Sequence, residues 1–328
     1  MRQQYLVDHS VTKSCDRFRG CLLGLAAGDA VGTTAEFQPR GSFPPITGME
    51  GGGPFALNPG EWTDDTSMAL CLAHSLLECG GFDPEDQMRR YCAWQDEGYL
   101  SSNGFCFDIG NTVSRALEHF RRTGDPFSGS DDLRTAGNGS IMRLAPVPMV
   151  LHRQPELLDQ WCADSSRTTH SAAECVEACV LFGRMLQRAL VGQSKEEILF
   201  SNQEEDFSQP SIRQLAAGLY RNHSPEDIRG NGYVVRSLEA ALWCFWTTDS
   251  FEAAILRAAN LGEDADTTAA VCGQLAGAYY GENGIPDQWL NSLVERDGIS
   301  QLANRLMALS STARLTMLAP LLEMFPRK

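Results

Sequence analysis

Arg19-Gly20-Cys21-Leu22-Leu23-Gly24-Leu25-Ala26-Ala27-Gly28-Asp29-Ala30-Val31-Gly32 sets the fold class. Together with Phe18, the residues Cys21, Leu22, Leu25 and Ala26 recur at the spacing of a helix with one apolar face. Gly20, Gly24 and Gly28 recur every fourth residue. A mid-helix glycine is less favourable than alanine by about 1 kcal/mol. A row of glycines therefore weakens the isolated helix, but it lets another helix come close.

Outward from this stretch the same texture continues. Helical patterns run from Asp65 to Gly80-Gly81, over 84–97 with Pro84 in the first turn, and over 108–120. More follow near 155–164, 171–192, 210–220, 234–246, 250–260, 267–280 and 300–310. Residues 38–61 and 123–139 are rich in glycine and polar residues and read as loops. Met142–Val150 is apolar but carries Pro146 and Pro148, which leaves its geometry open. Clean strand alternation is absent. The expectation is an all-α protein with a flexible arm over 1–15 and one compact domain over 16–328.

The 328 residues are 43% hydrophobic and 21% charged, an ordinary globular balance. A net charge of -15 opposes a nonspecific grip on nucleic acid or anionic membrane. It leaves room for a small anionic ligand held by backbone N–H groups or by metal ions. Eleven cysteines without a tight CxxC pair read as free thiols in a reducing compartment. The run Cys21 to Val31 is interrupted by Gly28 and Asp29, so neither a signal peptide nor a membrane span is expected. These features point to a cytoplasmic protein.

Two acidic clusters lie about 200 residues apart, Trp62-Thr63-Asp64-Asp65-Thr66 and Gly262-Glu263-Asp264-Ala265-Asp266-Thr267-Thr268. Each stands at the head of an apolar helical pattern, so capping accounts for either cluster alone. Together they offer a ring of hard oxygen ligands that suits Mg²⁺ or Mn²⁺. Close carboxylates raise one another's proton affinity, and divalent ions remove that penalty. Glu36 lies where the first helix gives way to the loop, and it is either a surface acid or a group that positions water. Asp29 caps, ligates or braces the turn from behind. Asp108 is a helix cap or an acid leaving an apolar setting. Asn138-Gly139-Ser140 is a turn able to present N–H groups to an anion. No GxxxxGK[ST] phosphate loop and no strand–GxGxxG–helix unit occurs.

In this order the motifs resemble the ADP-ribosylglycohydrolase family, which includes the dinitrogenase-reductase-activating glycohydrolase and the ADP-ribosyl-acceptor hydrolases. The likeness runs over residues 16 to 281. It is carried by Arg19–Gly32 with Glu36, Trp62–Thr66, Phe107-Asp108-Ile109-Gly110, Asn138-Gly139-Ser140 and Gly262–Thr267. The resemblance implies a compact, orthogonal multi-helix fold around two Mg²⁺ or Mn²⁺ ions. The residues that match its ligands are Thr63, Asp64, Asp65, Asp264, Asp266 and Thr267. Glu36 matches a loop acid close to the scissile bond and Asp108 an active-site acid, and the catalytic reading is that Asp65 or Glu36 handles the proton of the attacking water while Asp108 orients the acceptor or the water. Asn138, Gly139 and Ser140 match a phosphate-contacting segment. His170, in Ser166-Arg167-Thr168-Thr169-His170, and Tyr233, in Gly232-Tyr233-Val234, match substrate contacts, Tyr233 on the adenine side. Tyr233 reads equally well as a core or rim residue, and His170 as a structural one.

The activity so implied is hydrolysis of the bond between ADP-ribose and a modified arginine of a protein, releasing ADP-ribose, by a monomer. Serine- or O-linked ADP-ribose, or a small ADP-ribosylated metabolite, is the alternative substrate. A noncatalytic ADP-ribose binder or a structural relative is the alternative class. Neither a membrane nor bulk nucleic acid is an expected partner.

Overall fold

The structure, a computed structural model, describes the backbone of residues 2–202 and 204–312 and the side chains of 12–202 and 204–309. Its helices are α1 (Arg2–Gly32), α2 (Asp64–Glu78), α3 (Pro84–Glu97), α4 (Asn111–Thr123), α5 (Pro146–Leu151), α6 (Pro155–Arg167) and α7 (Ala173–Leu190). Then come α8 (Lys195–Phe200), α9 (Pro210–Ala216), α10 (Val234–Trp246), α11 (Phe251–Ala259), α12 (Ala265–Tyr280), α13 (Asp287–Ser292) and α14 (Arg296–Thr312). Among the described residues the β structure is limited to isolated bridges, Gly52 with Leu57, Ser130 with His170 and Gly137 with Tyr233. The fold is all-α, as the periodicity implies.

The glycine row of α1 does what its spacing suggests. A Cβ placed on Gly20, Gly24, Gly28 or Gly32 would overlap the carbonyl oxygen of Gly277, Gly273, Ala269 or Ala265. As numbers rise along α1 they fall along α12, so the two helices run antiparallel with backbones in direct contact. Phe18, Cys21, Leu22, Leu25 and Ala26 are all buried. One apolar core extends from Phe18 to Leu306. The close crossing also decides where the chemistry sits, because it sets the C-terminal end of α1, with Asp29 and the following Glu36, beside the N-terminal end of α12. Gly273→Ala is expected to destabilise the protein by about 3 kcal/mol, since a methyl group has only the Gly24 carbonyl to displace. Thermal melting checks this, and a melting temperature equal to wild type would refute the contact.

Several boundaries differ from the sequence reading. The backbone is helical from Arg2, whereas periodicity begins only at Asp16. That stretch is polar, and periodicity has little to register in it. Residues 313–328 of the expected domain lie outside the described residues. Helix α4 starts at Asn111 rather than near 108, because Gly110 is its extended N-cap and Asp108 has a φ of 59°. Pro146 and Pro148 both fall in the first turn of α5, where a missing N–H leaves no bond unmade. The short α8 and α13 give too few residues for a periodic pattern.

Candidate metal and active site

The acidic clusters are not the caps of their own helices. Thr63 and Asp264 hold the N-cap positions of α2 and α12, and neither side chain makes a capping hydrogen bond. Asp29 of α1 supplies the cap for α2: its Oδ1 accepts from Thr63 N and Oγ1 at 2.9 Å each, and its Oδ2 from Thr66 N at 3.0 Å and Oγ1 at 2.6 Å. Glu36 does the same for α12, its Oε2 accepting from Ala265 N at 2.8 Å and Asp266 N at 3.3 Å. With both helix ends satisfied from α1 and the turn after it, Asp64, Asp65 and Asp264 are released from the capping role that would have explained them, and Asp266 keeps one helix N–H, Thr267 N at 2.7 Å from its Oδ1.

These acids converge. Thr63 Oγ1 lies 3.4 Å from Asp65 Oδ2 and 3.3 Å from Asp266 Oδ2. Thr267 Oγ1 donates to Asp65 Oδ2 at 3.2 Å. Asp264 Oδ2 accepts from Asn138 Nδ2 at 3.0 Å. Glu36, Asp264 and Asp266 each bring an oxygen within 4.8 Å of the others. Among the described residues, none of Asp29, Glu36, Asp64, Asp65, Asp108, Asp264 and Asp266 forms an ion pair with a basic side chain.

The electrostatic consequence is plain. Burial first, and then the charge of Asp266, pushes Asp29 and Asp264 up to about 7 and Glu36 far above the carboxylate range. Asp64 and Asp65 are raised well above theirs, by burial and then by their acidic neighbours. Asp108 is pushed up to about 11 by burial and then by the charge of Asp64. Asp65 Oδ1 is buried with no hydrogen-bond donor. An orphaned carboxylate oxygen inside an all-oxygen set without a counter-cation fits hard divalent ions.

A cavity of about 480 Å³ opens over the cluster. Glu36, Asp64, Asp108, Asp264, Asp266, Thr267, Asn138, Gly139 and His170 line it. Sequence reasoning missed Phe37 and Ile109 among its walls. Thr63 and Asp65 lie deeper, at 1% and 0% exposure. Asp65 lies among the other oxygens of the cluster, with its Oδ2 near Thr63 Oγ1 and Thr267 Oγ1, which suits a ligand. The Ser140 hydroxyl accepts from Ser166 Oγ at 2.9 Å and Cys179 Sγ at 3.4 Å, which leaves the backbone of the Gly139-Ser140 turn as the part that can meet a ligand. Tyr233 is not among the lining residues either; its hydroxyl donates to Glu174, with oxygens at 2.7 and 2.8 Å, while the adjacent Gly232 lines the cavity.

His170 forms part of the floor. Burial and then the charge of Arg143 lower it to about 3, so the ring is neutral. A Cβ on Gly139 would come within 2.8 Å of its Cε1, which is why only glycine fits under that turn. Arg143 was also missed. It is fully buried, lies 4.7 Å over the Tyr91 ring, and donates to Gly139 O at 3.0 Å and Thr169 Oγ1 at 2.7 Å. Thr169 Oγ1 in turn lies 2.8 Å from His170 Nδ1. The available signal was one charge inside the apolar run Ile141-Met142-Arg143-Leu144.

Known proteins resemble this chain in sequence and fold. The sequence profile of the ADP-ribosylglycohydrolase family matches residues 10–315. The ADP-ribosylarginine hydrolase Tri1 of Serratia proteamaculans (strain 568) is 45% identical over 298 residues, 90% of this chain and 80% of the relative. The ADP-ribosyl-[dinitrogen reductase] glycohydrolase of Rhodospirillum rubrum is 34% identical over 310 residues, 90% of this chain and 97% of the relative. A solved ADP-ribosylglycohydrolase-related protein complex superposes with a TM-score of 0.82 at 44% identity, over 91% of this chain and 99% of that one. The shared fold, the family profile and the sequence identity over nine-tenths of the chain show that this protein belongs to the ADP-ribosylglycohydrolase family and is a hydrolase.

Proposed function

We propose that the chain hydrolyses the N-glycosidic bond between ADP-ribose and an arginine side chain of a modified protein, acting as a monomer with two Mg²⁺ or Mn²⁺ ions. The observation that carries the acceptor is the cavity wall: it is built with carboxylates and contains no lysine or arginine. A guanidinium keeps its charge at any physiological pH and offers a planar fork of donors, so an acidic, base-free cavity suits it. The naming of the Serratia relative as an ADP-ribosylarginine hydrolase supports the same reading. Eleven free cysteines, many of them buried, and the absence among the described residues of any helix long and apolar enough to cross a membrane accord with work in the cytoplasm.

Thr63, Asp64, Asp65, Asp264, Asp266 and Thr267 are the residues that would hold the ions, with Glu36 at their edge. Bound there, the ions supply Lewis acidity and fixed positive charge for the ribose hydroxyls. Asn138 holds Asp264 in place, and the turn at Gly139-Ser140 faces the diphosphate with backbone N–H groups. Glu36 is anchored by two backbone N–H groups through one oxygen, so its carboxylate is held at the cavity wall to take a proton from the attacking water. The bond from the anomeric carbon to the guanidine nitrogen breaks, the water oxygen takes its place, and the nitrogen leaves with a proton. Asp108, on the lip, faces the acceptor. Carboxylates around the anomeric carbon stabilise the positive charge that develops there.

The test is release of free ADP-ribose from an ADP-ribosylarginine protein, with and without added Mg²⁺ or Mn²⁺, beside a serine-linked substrate. Metal-dependent release from arginine alone is expected. Release from the serine-linked substrate alone would overturn the acceptor, and release unaffected by chelation would overturn the metal site.

A further inference from the structure

Phe37 stands at the mouth of the site rather than in the core. It is 65% exposed, yet it lines the acidic cavity. Its φ is 61°, in the left-handed region that a bulky residue avoids. The conformation is enforced by a clamp: Phe37 N donates to Glu263 O at 2.8 Å and Glu263 N donates to Gln38 O at 2.7 Å. The segment that delivers Asp264 thus pins an aromatic ring at the mouth of the site. Burial gains little there, and a strained residue held at a cavity lip argues for a ligand.

The ring is also tied to the opposite lip. Phe37 meets Phe55 edge-on with centroids 6.2 Å apart, and Phe55 meets Phe107 at 5.3 Å. Phe107 precedes Asp108, which lines the same cavity and has a φ of 59°. An aromatic bridge therefore connects a ring on one lip to a carboxylate on the other, both on backbone that glycine would occupy at less strain. A planar cation is the group that uses both, stacking on a ring face while donating to a carboxylate.

Resting on the arginine reading above, we propose that Phe37 is the acceptor-specificity residue of this site, stacking against the guanidinium of the modified arginine while Asp108 accepts its hydrogen bonds. Phe37 then selects the acceptor and makes no contribution to holding ADP-ribose itself.

The experiment compares Phe37→Ala, Phe37→Leu, Phe37→Tyr and Phe37→Gly in the metal-loaded enzyme, reading KM and kcat on an ADP-ribosylarginine protein, the Kd for free ADP-ribose, and Tm. The Ala, Leu and Gly variants are expected to raise KM about tenfold, a loss in keeping with one cation–ring contact. The Tyr variant should stay within about twofold, and Kd for ADP-ribose should hold in all four. Phe37→Gly should melt no lower than wild type because it relieves the left-handed backbone, which separates the loss of recognition from any loss of structure. Leu matching wild type would overturn the proposal, as would a fall in ADP-ribose affinity that parallels the rise in KM. If wild-type enzyme fails on arginine-linked substrate, the function itself falls and the specificity role with it. An active wild type with indifferent Phe37 variants overturns the specificity role alone.

Discussion

Asp266→Asn is expected to lower ADP-ribose release by more than about 100-fold, the loss typical of outer partners of a metal site being about 10–100-fold and Asp266 lying inside the cluster. The same substitution should make the metal-free protein more stable. Asp266 is 2% exposed and sits at the centre of the acids. Its charge is among the causes that raise Asp29, Glu36, Asp64, Asp65, Asp108 and Asp264. Asparagine keeps the shape and the acceptor oxygen for Thr267 N, now 2.7 Å from Asp266 Oδ1, while removing the charge that every neighbour resists. In chelator the melting temperature should rise by at least about 2 °C, the shift expected for roughly 1 kcal/mol in a chain of this size. With metal the gain should vanish, because the variant has lost part of what the ions bind. Turnover within tenfold of wild type, or a lower metal-free melting temperature, would show that Asp266 is a structural acid and no metal ligand. The pairing of lost activity with gained stability distinguishes a functional cluster from a structural one.

Much of this could be read from residue order. The glycine spacing of α1 foretold a close helix contact, and the two acidic runs named the groups that the fold brings together. Local composition records which groups are present and the period with which apolar residues recur. It does not record where a side chain turns. Asp64 and Asp264 look like caps in sequence, and only the hydrogen bonds from Asp29 and Glu36 show that the capping is done elsewhere. Those bonds span 34 to 37 residues and 229 to 230 residues along the chain, beyond any local rule. The hydroxyls of Ser140 and Tyr233 are engaged by Ser166, Cys179 and Glu174, partners that residue order does not disclose either. Phe37 was invisible because a left-handed φ on an aromatic residue has no signature in composition. Arg143 was visible as a charge in an apolar run, but its partners on α3, α6 and the Gly139 turn were not.

Chelated protein should lose stability as pH rises from 5 to 7.5, and metal should reverse that dependence. The sign follows from the direction of the shifts. Asp29 and Asp264 stand at about 7 in the folded protein, against an unfolded value of 3.8, and Asp64 and Asp65 are raised as well. Between the two values the folded state binds more protons than the unfolded chain, so stability falls with rising pH. Below about 4 both states are protonated and the groups contribute no difference. Above about 7, Asp29 and Asp264 impose their full penalty, and Asp108, at about 11, continues the decline. Each group that holds its proton only in the folded state contributes about 1.4 kcal/mol per pH unit. Hard cations compete with those protons for the same oxygens, so their binding strengthens as pH rises and releases protons as it occurs. In Mg²⁺ or Mn²⁺ the melting temperature at pH 7.5 should therefore equal or exceed that at pH 5, while in chelator it should be several degrees lower. Melting curves at the two pH values, with and without chelator, decide the matter. A chelated protein that melts higher at pH 7.5 than at pH 5 would mean that the acids are already neutralised within the chain, and the case for ions at this site would fail with it.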